Sequence, residues 1–236
     1  MSLFSDTEYL LHVLRVLVTY LPTTLRISAL SLLWAMIIGL LVAVIQLKRV
    51  PVLDPLTRIY VLLTRACPLM IQLYLVYFGI PLLLLYLRQT GRMDVTIPVP
   101  PETLAVLALS VNFGAYISQV LRGAMLSVDK GQMEAALAVG MSWATGFRRI
   151  VLPQAACYAL PLLSNQFLNL IKSTSILFCI SVEELMAGAK LEGAETYRYA
   201  GGLLRRRPHL LGHLLLRGTG GFGGFRTHHG ICERIA

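Results

Sequence analysis

The chain has 236 residues, of which 56% are hydrophobic and only 14% are charged, and its mean hydropathy is +0.68. A soluble domain carries about 25% charged residues, so this composition excludes an ordinary soluble domain and predicts a membrane protein. The net charge of +9 is concentrated at one end, since the last 36 residues hold six Arg and one Glu, and this distribution does not indicate nucleic-acid binding.

Apolar stretches divide the chain in a simple order. The first 26 residues lack the basic start and cleavage site of a signal peptide and predict an amphipathic N-terminal segment. Four apolar stretches follow, each close to or above the roughly 20 residues that a helix needs to cross a membrane. They cover residues 27–47, 66–87, 103–121 and 154–181. We therefore expect an all-α, polytopic transmembrane helix bundle, with its core at residues 27–198.

Lys and Arg in the short loops predict the orientation of these spans. The loops at 48–58 and 122–155 together hold seven basic residues, whereas those at 88–102 and 182–199 hold four. The first pair of loops is therefore predicted to be cytoplasmic, which leaves the N-terminus outside.

One long cytoplasmic loop, residues 123–153, contains a predicted helix. Met133–Val139 is rich in residues that favour helices, and Gly140 is a residue type common at helix C-termini. Periodicity alone favours a plain surface helix between two spans. The chain contains no nucleotide-binding, zinc-protease or serine-hydrolase motif, so the energy for any work must come from a gradient or a partner.

The residues of this loop resemble a known signature. Glu134-Ala135-Ala136 is followed by Gly140 and by Ile150-Val151-Leu152-Pro153, which is similar to the EAA segment of ATP-binding-cassette importer permeases, specifically the polar amino-acid branch. Three further segments extend the resemblance over about residues 20–198: TRACPLMIQLYLVYFGIP, AYISQVLRGAMLSVDKGQ and LPLLSNQFLNLIKSTSILFCISVEEL. Gln119 departs from it, where the family usually has Glu, as do Ala66 and Cys67, where it usually has Gly and Thr.

The resemblance implies a role for the loop and a set of partners. It implies a coupling helix that docks into a cytoplasmic ATP-binding subunit and includes Glu134, Ala135, Ala136, Gly140 and Pro153. The chain itself would then be a permease subunit and no enzyme, with no catalytic residue, metal or cofactor of its own. The other implied partners are an extracytoplasmic solute-binding protein, a second copy or a sister permease, and the lipid of a bacterial inner membrane.

Polar residues within the spans are candidates for a translocation path. Polar groups at membrane depth usually face the interior of a bundle. The candidates are Asn112, Asn165, Asn169 and Lys172, the last three of which share one helix face by their spacing. Interhelical hydrogen bonds are the alternative role for the asparagines, and a structural or gating role near the external face is the alternative for Lys172.

Two other functions remain open at this point. A secondary transporter driven by an ion gradient would need acidic residues within the spans, and the four predicted spans contain none. A membrane scaffold that transports nothing would not need a loop with the EAA spacing.

The last segment, residues 199–236, is atypical in composition. Its final 36 residues hold nine of the 19 glycines and four of the five histidines. The family that the chain resembles has a fifth span at this place. We hypothesise a reading-frame shift near residues 200–203, which would leave a permease-like chain inactivated by loss of its last span. One choice of codons for LLRRRPHLLGHL reads CYVAALIYWVI one base later, an apolar run of the kind that a span needs.

Sequencing the gene tests this hypothesis against the alternative of a natural, divergent tail. We expect a displaced frame that encodes an apolar span after about residue 200. An intact frame with no apolar run one base over would contradict it.

Overall fold

The computed structural model of the protein describes residues 3–90 and 99–196, so the tail at 199–236 and its hypothesised frame shift lie outside the described residues. Every regular element within them is helical, which confirms the predicted all-α fold class. The elements are α1 (Leu3–Lys48), α2 (Leu53–Ala66), α3 (Leu69–Gln89), α4 (Pro101–Ser127), α5 (Lys130–Ala138), α6 (Trp143–Gly146), a π-helical turn (Phe147–Val151), α7 (Leu152–Ser173), a 3-10 helix (Thr174–Ile180) and α8 (Leu185–Thr196).

The first helix continues through residue 26, where the sequence predicts the end of the N-terminal segment and the start of the first span. α1 is continuous for 46 residues, with Pro22 in its interior, so the predicted amphipathic segment and the first predicted span are one helix. Its apolar, span-like part already begins at Leu11, and Leu11, Leu14 and Val18 expose more than half of their surface. No break in the helix separates the N-terminal segment from the first predicted span.

Three helices in the described part of the chain are long and apolar enough to cross a membrane. They are Leu11–Lys48, Leu69–Gln89 and Pro101–Ser127. The fourth predicted span, 154–181, is divided between α7 and the 3-10 helix. α7 has 22 residues but does not reach the same hydropathy, because Asn165, Gln166 and Asn169 lie within it.

The core is the contact between α1 and α4. Buried small residues follow one side of α1 at helical spacing: Ser28, Ser31, Ala35 and Ala43. Gly39 lies in the same row, and a Cβ there would come within 2.6 Å of Ile117 Cγ2 on α4. Gly114 on α4 is equally close to α1, since its Cβ would lie 2.7 Å from Ile38 Cγ2. Helices in lipid associate through van der Waals packing at small residues, and this contact has that form.

α4 is therefore the central helix and α3 a peripheral one. In the most apolar 18-residue stretch of each helix, 61% of α4 but only 6% of α3 is buried inside the described protein. Functional side chains on α4 thus have fixed surroundings, while α3 presents most of its surface outward.

Candidate coupling loop and translocation cavities

The predicted coupling helix begins and ends at defined caps. The carboxylate of Asp129 accepts a hydrogen bond from the backbone N–H of Gly131 at 2.7 Å and so caps the start of α5. At its end Gly140 has φ +85°, in the left-handed region. The N–H of Gly140 donates to Leu137 O at 3.0 Å and that of Met141 to Ala136 O at 3.1 Å. These two bonds form a Schellman motif, which fixes the direction in which the chain leaves the helix.

The predicted coupling residues lie on two different faces of α5. Glu134 and Ala135 are exposed, and no hydrogen bond or ion pair within the described residues engages the side chain of Glu134. Ala136 is only 2% exposed, because it packs on α6, where a Cβ at Gly146 would lie 3.1 Å from Ala136 Cβ. Ala136 thus presents almost no surface to a partner. Its small size instead lets α6 approach α5.

The second arm of the loop is continuous with α7. The backbone stays in the right-handed helical region through Gly146, Phe147, Val151 and Leu152, so α6, the π-helical turn and α7 form one rod from Trp143 to Ser173. The π-helical turn ends just before Pro153, which has no N–H to donate and whose ring would clash with an earlier carbonyl. Pro153 is thus accommodated within a longer helix, in the first turn of α7, by local widening of the helix.

The loop also exposes large apolar side chains. Leu137 is 45% exposed, Val139 75% and Trp143 59%. The Trp143 ring stacks on Phe147, with 5.1 Å between the ring centroids, which holds the indole on the outside of the rod. Large exposed apolar side chains beside charged ones are typical of a protein–protein contact.

A first cavity, called here the amide cavity, lies between α2, α3, α4 and α7 and has a volume of about 500 Å³. Its polar lining is Arg65, Asn112, Tyr116, Gln166, Asn169 and Ser173. Two of the predicted path residues, Asn112 and Asn169, therefore meet here. The other two, Asn165 and Lys172, are exposed and do not line this cavity.

Asn112 also takes part in an interhelical network. It is 3% exposed and donates from Nδ2 to Gln72 Oε1 at 3.2 Å. Gln72 in turn donates from Nε2 to Thr64 O at 2.7 Å and to Cys67 O at 2.8 Å. Asn112 therefore makes an interhelical hydrogen bond, which joins α4 to the α2–α3 turn, and also lines the cavity. The two roles considered for it from the sequence are compatible.

A second cavity, called here the arginine cavity, has a volume of about 570 Å³. Its polar lining is Gln46, Arg58, Arg65, Tyr116, Gln119 and Arg122. Arg65 and Tyr116 belong to both cavities, and the guanidinium carbon of Arg65 lies 5.4 Å from the Tyr116 ring centroid. Sequence reasoning did not assign this cavity, although Arg65, Tyr116 and Arg122 stand in the segments that carry the resemblance.

The cations of the arginine cavity differ in their partners. Arg58 donates from Nε and Nη2 to the two carboxylate oxygens of Asp54, both at 2.9 Å, and these bonds hold the pKa of Asp54 below its usual value. Asp54 is not part of the lining. Among the described residues, Arg65 and Arg122 have no carboxylate partner. Gln119 donates to Gln46 across the cavity at 3.1 Å.

The fold and these features define a class: a helical membrane protein with a capped helical loop and polar cavities beside its central helix. Residues 35–203 match the family described as "Binding-protein-dependent transport system inner membrane component", and the chain belongs to this family. The match stops at residue 203, at the start of the Gly- and Arg-rich tail.

Curated relatives agree with this membership. The chain is 36% identical over 194 residues to the probable amino-acid ABC transporter permease protein PatM of Vibrio harveyi, covering 82% of this chain and 83% of that protein. It is 38% identical to the L-cystine transport system permease protein TcyL of Bacillus subtilis (strain 168), covering 72% of this chain and 69% of that protein. The predicted resemblance to amino-acid permeases of the ATP-binding-cassette importers is confirmed.

Solved structures give the same fold. An amino acid ABC transporter crystallised with histidines superposes with a TM-score of 0.70 at 26% identity, covering 96% of this chain and 99% of that chain. The inward-facing MetNI methionine ABC transporter superposes with a TM-score of 0.61 at 19% identity, and this likeness concerns the fold alone.

Proposed function

We propose that the protein is the permease subunit of an ATP-driven importer of a polar amino acid and that it couples to a separate ATPase subunit through the loop at 123–153. The substrate reaches it from an extracytoplasmic solute-binding protein, and two permease subunits, identical or sister chains, enclose the path. The protein lies in a bacterial inner membrane, and ATP is bound and hydrolysed by the partner.

The observation that carries this proposal is the unbroken rod from the loop to the cavity. Its first turns pack on α5 through Gly146 and Ala136, and its last turns supply Gln166, Asn169 and Ser173 to the amide cavity. From Trp143 to Asn169 the rod is roughly 40 Å long at about 1.5 Å per residue. The segment is helical over this whole length, with Pro161 in its interior, so a displacement of α5 by a partner is passed along one continuous helical segment to the cavity lining.

The exposed side of the loop supports an ATPase as the source of that displacement. Glu134, Ala135, Leu137, Val139 and Trp143 all belong to this loop, and the described protein leaves each of them exposed. A chain without a nucleotide-binding motif needs such a contact to obtain energy from ATP.

A secondary transporter is the competing function, and the cavities oppose it. Proton or sodium coupling uses acidic groups at membrane depth. In the described part of the chain neither cavity is lined by Asp or Glu.

Uptake into vesicles tests the proposal. With the ATPase, the solute-binding protein and ATP present, we expect amino-acid uptake to continue when an uncoupler collapses the proton gradient and an ionophore the sodium gradient. Vesicles without ATP serve as the control and should show no uptake. Loss of uptake under the uncoupler at constant ATP would favour the ion-driven transporter.

A further inference from the structure

The two cavities adjoin each other along α4, because they share Arg65, Ala66 and Tyr116 in their linings, and together they are called here the route. The amide cavity uses α4 from Asn112 to Tyr116, and the arginine cavity uses it from Tyr116 to Arg122. Arg122 is about 15 Å further along the helix than Asn112, at about 1.5 Å per residue. The arginine cavity is therefore the one closer to the coupling loop, which follows α4 in the chain.

The charged side chains that line this route are all cationic. Its described lining contains Arg58, Arg65 and Arg122 and no acidic side chain. Arg58 is neutralised by Asp54, whose carboxylate also feels the charge of Arg122, whereas Arg65 and Arg122 themselves form no ion pair within the described residues. The other polar side chains in the lining are amides and hydroxyls, with the thiol of Cys67.

Arg65 occupies the junction of the two cavities. Its guanidinium lies against the Tyr116 ring, which leaves its N–H groups available to an anion on either side. A planar guanidinium binds a carboxylate through two parallel hydrogen bonds. Arg65 is therefore within reach of a substrate in either cavity.

We propose that the route selects its substrate by charge: Arg65, assisted by Arg122, binds the substrate carboxylate, and the route admits neutral and acidic amino acids while rejecting those with a cationic side chain. This inference rests on the proposed function and names its substrate class. A lysine or arginine side chain meets two unpaired guanidinium groups and finds no carboxylate, so it is repelled where a neutral amide or a second carboxylate is accepted.

Equilibrium binding to the permease–ATPase complex in lipid nanodiscs tests the inference, without the solute-binding protein and its own selectivity. The probes are the twenty radiolabelled proteinogenic amino acids. We expect lysine and arginine to bind at least tenfold more weakly than the best neutral or acidic amino acid. Cationic amino acids that bind as tightly as the best neutral one would overturn the inference, as would an absence of binding by all twenty to a complex that hydrolyses ATP.

Three variants test which residues are responsible for the charge selection. Gln119→Glu places a carboxylate in the arginine cavity and should raise lysine binding relative to glutamine at least tenfold. Arg65→Gln should weaken the binding of the preferred amino acid at least tenfold. Arg88→Gln makes the same charge change at the end of α3, outside both cavities, and should change neither value. An equal effect of Arg88→Gln and Arg65→Gln would overturn the role of Arg65.

Failure of this inference and failure of the proposed function give different results. If vesicles take up lysine in an ATP-dependent manner at the rate of neutral amino acids, the charge selection is wrong and the importer remains. If no amino acid enters in an ATP-dependent manner, the proposed function itself is wrong.

Discussion

Gly140→Val should reduce ATP-driven uptake about tenfold or more while the protein still inserts in the membrane. Gly140 has φ +85°, and a β-branched residue there strains the backbone by about 1–3 kcal/mol. A Cβ at this position meets nothing within 4 Å, so the strain is confined to the Schellman turn and does not arise from a clash. Relief of that strain changes the angle between α5 and the rod that follows. The measurement is uptake into vesicles at equal amounts of assembled complex.

Two matched variants separate this effect from a general loss of glycine. Gly140→Asn should retain most uptake, because Asn tolerates the left-handed conformation better than other residues. Gly123→Val should be close to normal, since Gly123 has ordinary helical backbone and open space around it. Normal uptake by Gly140→Val would contradict the role of this turn in coupling.

Gly39→Ala should destabilise the protein by about 1–3 kcal/mol, the usual cost of an extra methyl group in a packed core. The new Cβ would lie 2.6 Å from Ile117 Cγ2 and 3.1 Å from the backbone N of Ser118. The first neighbour is a stiff β-branched side chain and the second is main chain, so neither yields without separating α1 from α4. Thermal unfolding of the purified protein in detergent measures the change.

Gly79→Ala is the control for this variant. Gly79 lies inside α3, and a Cβ there meets nothing within 4 Å, so the substitution adds helix propensity without a clash. Its midpoint of unfolding should be unchanged or higher. If Gly39→Ala and Gly79→Ala unfold at the same temperature, the close contact between α1 and α4 does not stabilise the core.

Local sequence signals predicted the long apolar helices and α5, but not α2 or α8. Uncharged runs marked α3 and α4, and helix formers followed by Gly140 marked α5 and its C-terminal cap. No signal of helix termination exists at residue 26, and α1 continues through it. In α7 the apolar pattern continues through three amides, which lower its hydropathy below that of the other long helices.

Tertiary contacts account for what the sequence did not reveal. Ala135 and Ala136 look equivalent in the chain, yet the return of the chain at Gly140 buries one against Gly146 and leaves the other exposed. The arginine cavity draws Gln46 from α1, Arg58 from α2 and Arg122 from α4, which no local pattern connects. Lys172 shares a predicted face with Asn169 but lies outside both cavities, because spacing on one helix does not give the position of the others.

The most direct measurement of the central claim is crosslinking from the loop to the ATPase subunit. In a protein whose four cysteines have been replaced, Cys is introduced at Glu134, Ala135 or Ala136 and treated with a reagent that joins a thiol to an amine. The exposed positions 134 and 135 should give a crosslinked permease–ATPase product, whereas the buried position 136 should give little. Glu183→Cys, an exposed position predicted to lie on the opposite side of the membrane, should give none. A product from position 183 with none from positions 134 and 135 would contradict the assignment of this loop as the site of ATPase coupling.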